Sequence, residues 1–149
     1  MDRITMCPTL EVLHILGRKW AVPVLDEIYF SDKHARFNDM ESALRPITPR
    51  ELNLMLSKLV SSGIVEKLNL HGKTSYALTK RGVLVHDLIT DIKRHGTEFG
   101  NGGYNCTDVR CGQCEQFRVC LDKWPVPQVQ ANSRSRAISD NMVDPKGRN

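Results

Sequence analysis

Cys106, Cys111, Cys114 and Cys120 follow one another as C-x4-C-x2-C-x5-C inside the stretch GYNCTDVRCGQCEQFRVC. Thiolates are soft ligands, and four of them this close in sequence can close around one metal centre. Three chemistries compete for the run. Structural zinc usually draws on two separated CxxC pairs, and here only Cys111 and Cys114 make one. An iron–sulfur cluster accepts mixed short spacings. The order C-x4-C-x2-C occurs in plant-type ferredoxins, although their fourth cysteine lies much further along the chain. Disulfides come third, because a reducing compartment disfavours them. The expectation is an iron–sulfur cluster of the 4Fe–4S type, with zinc as the alternative. Gly100, Gly102 and Gly103 would let the backbone turn toward such a centre, and Arg110 and Arg118 would offset its negative charge. Cys7 stands apart. It is either a reactive thiol whose pKa is lowered by a helix N-terminus or a small buried residue.

A second chemistry sits in ITPRELNLMLSKLVSSG, residues 47–63. Thr48 is placed to cap a helix and Glu51 to return the bond, a capping box. Pro49 takes the first helical position, where its missing N–H costs nothing. Ile47 and Leu52 are spaced as a hydrophobic staple, and Gly63 supplies the left-handed residue that ends the helix. Leu52, Met55, Leu56 and Leu59 make one apolar stripe; Arg50, Asn53, Leu54, Ser57, Lys58 and Ser61 make the opposite one. A helix with so many donors on its free face suits the major groove of DNA. Arg50 can pair bidentately with guanine or meet a phosphate, and Asn53 matches adenine N6 and N7. Thr48 and Ser57 are short donors for phosphate or bridged contacts, while Arg45, Lys58, Lys67 and Lys73 surround the face with positive charge. An ordinary amphipathic surface helix would carry the same pattern.

The elements around these two stretches follow from periodicity and punctuation. Residues 7–16 and 19–29 read as helices, the second with Trp20, Val24, Leu25 and Ile28 on one side and Pro23 in its first turns. SDKHAR reads as a polar connection. A short third helix opens near Phe37, with Asn38 and Glu41 spaced as a second capping box, and stops at Arg45-Pro46. A short helix, a tight turn and a long capped helix form a helix-turn-helix. Ile64 to Leu70 and Thr74 to Leu78 then read as a hairpin around His71-Gly72-Lys73, whose tip would be a wing meeting the DNA backbone. Thr79 caps a helix from Lys80 to about Phe99. Its stripe of Val83, Leu84, Leu88, Ile89 and Ile92 exceeds what so small a domain can cover, so part of it is expected to pack on a second chain.

The whole chain has 149 residues, a net charge of +4 and 40% hydrophobic residues. That is enough for one domain with a core plus an appendage. The charge permits an anionic partner without requiring one. No apolar run approaches a membrane span and the start MDRITMCPTL lacks a signal peptide's apolar core, so a cytoplasmic location is expected. Five cysteines in a reducing compartment point to metal or redox chemistry. His14, His34, His71, His86 and His95 form no motif with a nucleophile or paired carboxylates, and no phosphate-binding loop occurs, so catalysis is not expected.

The chain resembles the HxlR-type transcription regulators, winged-helix proteins of the MarR-like group. The resemblance rests on Cys7-Pro8, Gly17, Lys19-Trp20, Leu25, Phe37, Leu44, Ile47-x-Pro49-Arg50-x-Leu52, Leu56, Leu59, Gly63-x-Val65-Glu66 and Tyr76-x-Leu78-Thr79-x-x-Gly82. It covers about residues 7 to 95. It implies a homodimer built largely from the first and last helices, with one recognition helix per subunit in successive major grooves. It also implies that Cys7 can serve as a thiol switch. Two features depart from the family pattern: the wing is a few residues shorter, and the cysteine run after the last helix is extra.

The resulting expectation is an α+β, mostly helical, winged helix-turn-helix with a long C-terminal dimerisation helix and a small Cys-rich lobe. Residues 1–99 would bind double-stranded DNA and dimerise, 100–124 would hold the metal, and 125–149, rich in Ser, Asn, Arg and Pro, would be a disordered tail. The DNA-binding set is Arg45, Thr48, Pro49, Arg50, Asn53, Leu54, Ser57, Lys58, Lys67, His71 and Lys73. The function expected is sequence-specific transcription regulation responsive to redox state or to the cluster. A general transcription or chromatin factor with a structural zinc lobe competes with it, as does an electron carrier or enzyme using the cluster.

Overall fold

A computed structural model describes residues 7–32, 34–99 and 106–122, the side chains of 97–99, 118 and 120 excepted. The expected tail and Gly100, Gly102 and Gly103 lie outside the described residues, as do the side chains of Cys120 and Arg118. The chain divides into two units at residue 118.

Two helices open it, α1 (Pro8–Leu16) and α2 (Ala21–Phe30), then a two-residue strand β1 (His34–Ala35). The helix pair α3 (Phe37–Ala43) and α4 (Pro49–Ser61) comes next, then the hairpin β2 (Val65–Leu70) and β3 (Lys73–Leu78), and then α5 (Lys80–Phe99). A 3-10 turn spans Cys111–Gln113, and α6 (Phe117–Asp122) follows. The strands form one antiparallel sheet in the order β1-β3-β2. This is a mostly helical winged helix-turn-helix. Among the described residues no helix is long and apolar enough to cross a membrane.

The core lies where α2 meets the helix-turn-helix and the sheet. Val24, Leu25 and Ile28 of α2, Met40 and Leu44 at α3, Leu52, Leu56 and Leu59 of α4, and Ile64 are all fully buried or nearly so. The helical period of α4 places its apolar stripe inward, and each such side chain contributes roughly 1.5–3 kcal/mol by leaving water.

Two local expectations are corrected. The connection SDKHAR contains a strand: His34 pairs with Ala77 and Ala35 with Tyr76. Ala35 is buried there, and its carbonyl accepts from the Ser75 hydroxyl at 3.5 Å. The Asn38–Glu41 capping box does not form. Arg36, two residues before Asn38, is the N-cap of α3 and makes no side-chain cap bond, so Asn38 already lies inside the first turn.

Candidate nucleic-acid interface and cysteine segment

Both ends of α4 are fixed by bonds that its own sequence supplies. The Glu51 N–H donates to the Thr48 hydroxyl at 3.2 Å, and the Thr48 N–H donates to the Glu51 carboxylate at 2.9 Å. Burial alone would raise the Glu51 carboxyl, but the bonds from Thr48 bring it below its ordinary value. At the other end Gly63 has φ +73°, the Ile64 N–H reaches the Leu59 carbonyl at 3.0 Å, and the Gly63 N–H reaches that of Val60. These two bonds make a Schellman motif. A helix stopped at both ends cannot slide, so the side chains on its free face keep fixed positions.

That face carries Arg50, Asn53, Leu54, Ser57 and Lys58, all exposed. They recur at helical spacing and form one stripe, with Thr48, Pro49 and Arg45 exposed at its N-terminal end. Leu54 is 57% exposed, an apolar residue with no core to join and the right chemistry for a thymine methyl.

The hairpin is a two-residue turn: Leu70 pairs with Lys73, and His71 and Gly72 both take positive φ, +53° and +74°. This is the type I′ geometry that matches the twist of the strands. Lys67, His71 and Lys73 are exposed along it. A cavity of about 270 Å³ beside the wing is lined by His34, Arg36, Asp39 and Lys73, among others. Arg36 therefore adds a cation at the wing base. It went unread in the sequence because β1, which places it there, went unread.

The cysteine segment packs on α2 and α5. The Arg110 guanidinium donates to the Glu27 carboxylate at 3.0 Å and to the Phe30 carbonyl at 3.1 Å, with its charge 5.6 Å from the Phe30 ring centre. Phe117 stands edge-on to Trp20 at 5.9 Å. The Cys111 N–H donates to Asp26 at 3.3 Å, and Lys93 donates to the Val109 carbonyl at 3.0 Å. Asp26 is fully buried and also accepts from His86 Nε2 at 3.0 Å and from Lys93. Burial alone would raise its carboxyl, but the bonds from His86 and Lys93 and the Lys93 charge hold it below the ordinary carboxylate range. Sequence reasoning missed Asp26, His86 and Lys93. The available signal was a carboxylate inside the apolar helix AVPVLDEIYF, together with a lysine in register with Val85 and Ile89.

Cys106, Cys111 and Cys114 are half-buried in this segment. Burial, then the charge of Asp26, pushes the Cys111 thiol up to about 12, and Cys106 adds to the effect. An uncompensated thiolate is therefore disfavoured at Cys111, and a cationic ligand would offset that penalty. Among the described residues no three His, Cys, Asp or Glu side chains stand together as a metal site; the Cys120 side chain is outside them. Cys7 is exposed rather than buried. It precedes α1, where the N–H groups of Leu10 and Thr9 hold its thiol below the ordinary value.

The apolar stripe expected on α5 divides in two. Val85, His86, Ile89 and Lys93 face inward, whereas Leu84, Leu88 and Ile92 are exposed at 66%, 52% and 55%. An apolar groove of about 450 Å³ runs between α1 and α5, lined by Pro8, Val12, Leu13, Leu16, Leu88 and Ile92 among others.

Known proteins share the winged-helix fold. Residues 15–103 match the family described as HxlR-like helix-turn-helix. YvaP of Bacillus subtilis (strain 168), an uncharacterized HTH-type transcriptional regulator, is 25% identical over 103 residues, 66% of this chain and 94% of its own length. The reduced form of the transcriptional regulator YodB from B. subtilis superposes with a TM-score of 0.57 at 24% identity, covering 67% of this chain and all of that one. A possible HxlR family transcriptional factor from Thermoplasma volcanium GSS1 gives a TM-score of 0.54 at 27% identity, covering 64% of this chain and 87% of that one. The chain belongs to the HxlR-like helix-turn-helix family of transcriptional regulators.

Proposed function

We propose that the protein is a homodimeric, sequence-specific transcription regulator in the cytoplasm and not an enzyme, with α4 as its reading element and its operator affinity set by the state of its cysteines. The observation that carries the DNA reading is the exposed stripe of α4 beside the wing. Arg50 and Asn53 read base edges, and Leu54 meets a thymine methyl. Arg45, Thr48, Pro49, Ser57, Lys58, Lys67, His71 and Lys73 position the helix on phosphates. The groove between α1 and α5 and the exposed Leu84, Leu88 and Ile92 support a second copy as the partner. Selection from a random duplex library, followed by binding to the selected site and to a scrambled one, tests this reading. The expected discrimination is on the order of a thousandfold or more. Equal affinity for both duplexes refutes it.

The control reading rests on the spacing of Cys106, Cys111, Cys114 and Cys120 and on the half-burial of the first three. These favour an iron–sulfur centre, 4Fe–4S in type, with zinc as the alternative. When bound, the centre would supply a charge and redox state that the chain itself lacks. Anaerobic purification with a visible spectrum and iron, sulfide and zinc counts decides between them. Zinc without iron makes the lobe structural.

Cys7 supports a thiol response of its own, through its exposure and lowered pKa.

A further inference from the structure

We infer that Asp26 is a positioning residue that seats the cysteine segment on its own subunit, joining the Cys111 backbone to the α5 lysine Lys93 through one carboxylate oxygen. The inference rests on the cysteine segment being the control site, and it concerns how that site reaches the DNA-reading elements.

Three contacts carry it. Asp26 Oδ2 accepts both from the Cys111 N–H and from Lys93 Nζ. Lys93 also donates to the Val109 carbonyl, so α5 holds the segment at a second point. Gly112, between Cys111 and Cys114, sits where an added Cβ would lie 2.9 Å from the Ala43 carbonyl oxygen and 3.4 Å from Glu27 Oε2. The turn between the two cysteines thus rests on the last residue of α3, the helix that precedes the reading helix, while its neighbour is bonded into α5. Whatever alters the path of the backbone at Cys111 moves a donor on Asp26, and with it the seat on α3 and the grip from α5. Control in this arrangement runs within one subunit.

The test uses the full-length dimer. Asp26→Asn with Lys93→Met removes the charges as a pair, and Gly112→Ala disturbs the seat while leaving the carboxylate intact. Iron and sulfide content with the visible spectrum reports whether the cysteines are loaded. Operator affinity is measured for protein as purified and after stripping with ferricyanide and EDTA. The double variant is expected to load iron as the parent does, yet to lose the difference between loaded and stripped forms. That difference falls within the roughly 5–150-fold of ordinary allosteric coupling in the parent. A double variant that keeps the parent's full difference overturns the inference. Hydrogen exchange on stripped protein supplies a metal-independent readout. Amides of residues 107–114 and of α3 should lose protection together in the double variant and in Gly112→Ala. Unchanged protection in both overturns the inference even if the parent holds no metal, a result that would separately refute the cluster reading.

Discussion

Lys93 of α5 is paired with Asp26 of α2 across 67 residues of sequence, with the lysine side chain 8% exposed and the carboxylate wholly buried. Removing one member leaves the other charged and without its partner in the core. Lys93→Met is therefore expected to destabilise the fold by about 3–5 kcal/mol. Replacing both, Asp26→Asn with Lys93→Met, should recover most of that loss because no bare charge remains. Urea unfolding of the two variants checks this; equal destabilisation by both contradicts it.

The same carboxylate predicts an acid response. Its pKa in the folded state is held below the unfolded value of about 3.9. The folded state thus binds that proton less tightly than the unfolded state does. The stability it contributes is in place above about pH 3.9 and is lost as pH falls through the lower folded value. Unfolding free energies over pH 2–6 should fall less steeply for the double variant than for the parent. Parallel curves would assign the acid sensitivity to other groups.

Gly82, in the first turn of α5, packs on the backbone of Ile64 between α4 and β2. A Cβ there would run into the Ile64 carbonyl oxygen, which belongs to the backbone and cannot swing away. Gly82→Ala should cost about 1–3 kcal/mol despite alanine's better helix propensity. A denaturant midpoint at or above the parent's would contradict the close packing.

Leu88 lies 52% exposed at the groove between α1 and α5. If that face receives a second copy, Leu88→Asp shifts the protein from dimer to monomer at micromolar concentration with its helix content unchanged. Light scattering after size exclusion reads the mass directly. A parent that is already monomeric contradicts the assignment of this face.

What the sequence revealed and what it hid divide by range. The ends of α4 were readable because each is closed by residues a few positions apart: Thr48 with Glu51, Leu59 with Ile64. The turn at His71-Gly72 was equally local. Strand β1 was hidden because His34 and Ala35 are extended only through pairing with Ala77 and Tyr76. The cap of α3 was misplaced by two residues, at Asn38 instead of Arg36, because capping-box spacing alone does not fix where a helix starts. On α5 the apolar residues of two different faces merged into one apparent stripe. Only packing against α2 shows that Val85 and Ile89 turn inward while Leu84, Leu88 and Ile92 do not. Asp26 and Lys93 went unread, because a buried pair is defined by its partner and the partner is far away in sequence.

The central claim, that α4 reads bases while the wing grips backbone, is tested most directly by comparing Arg50→Ala with Lys73→Ala on the selected operator and on single-base variants across a salt series. Arg50→Ala should cost about 1–3 kcal/mol and blur the preference at one base pair. Lys73→Ala should weaken every sequence alike and lower the salt slope by about one. Full affinity and unaltered base preference in Arg50→Ala would contradict the account.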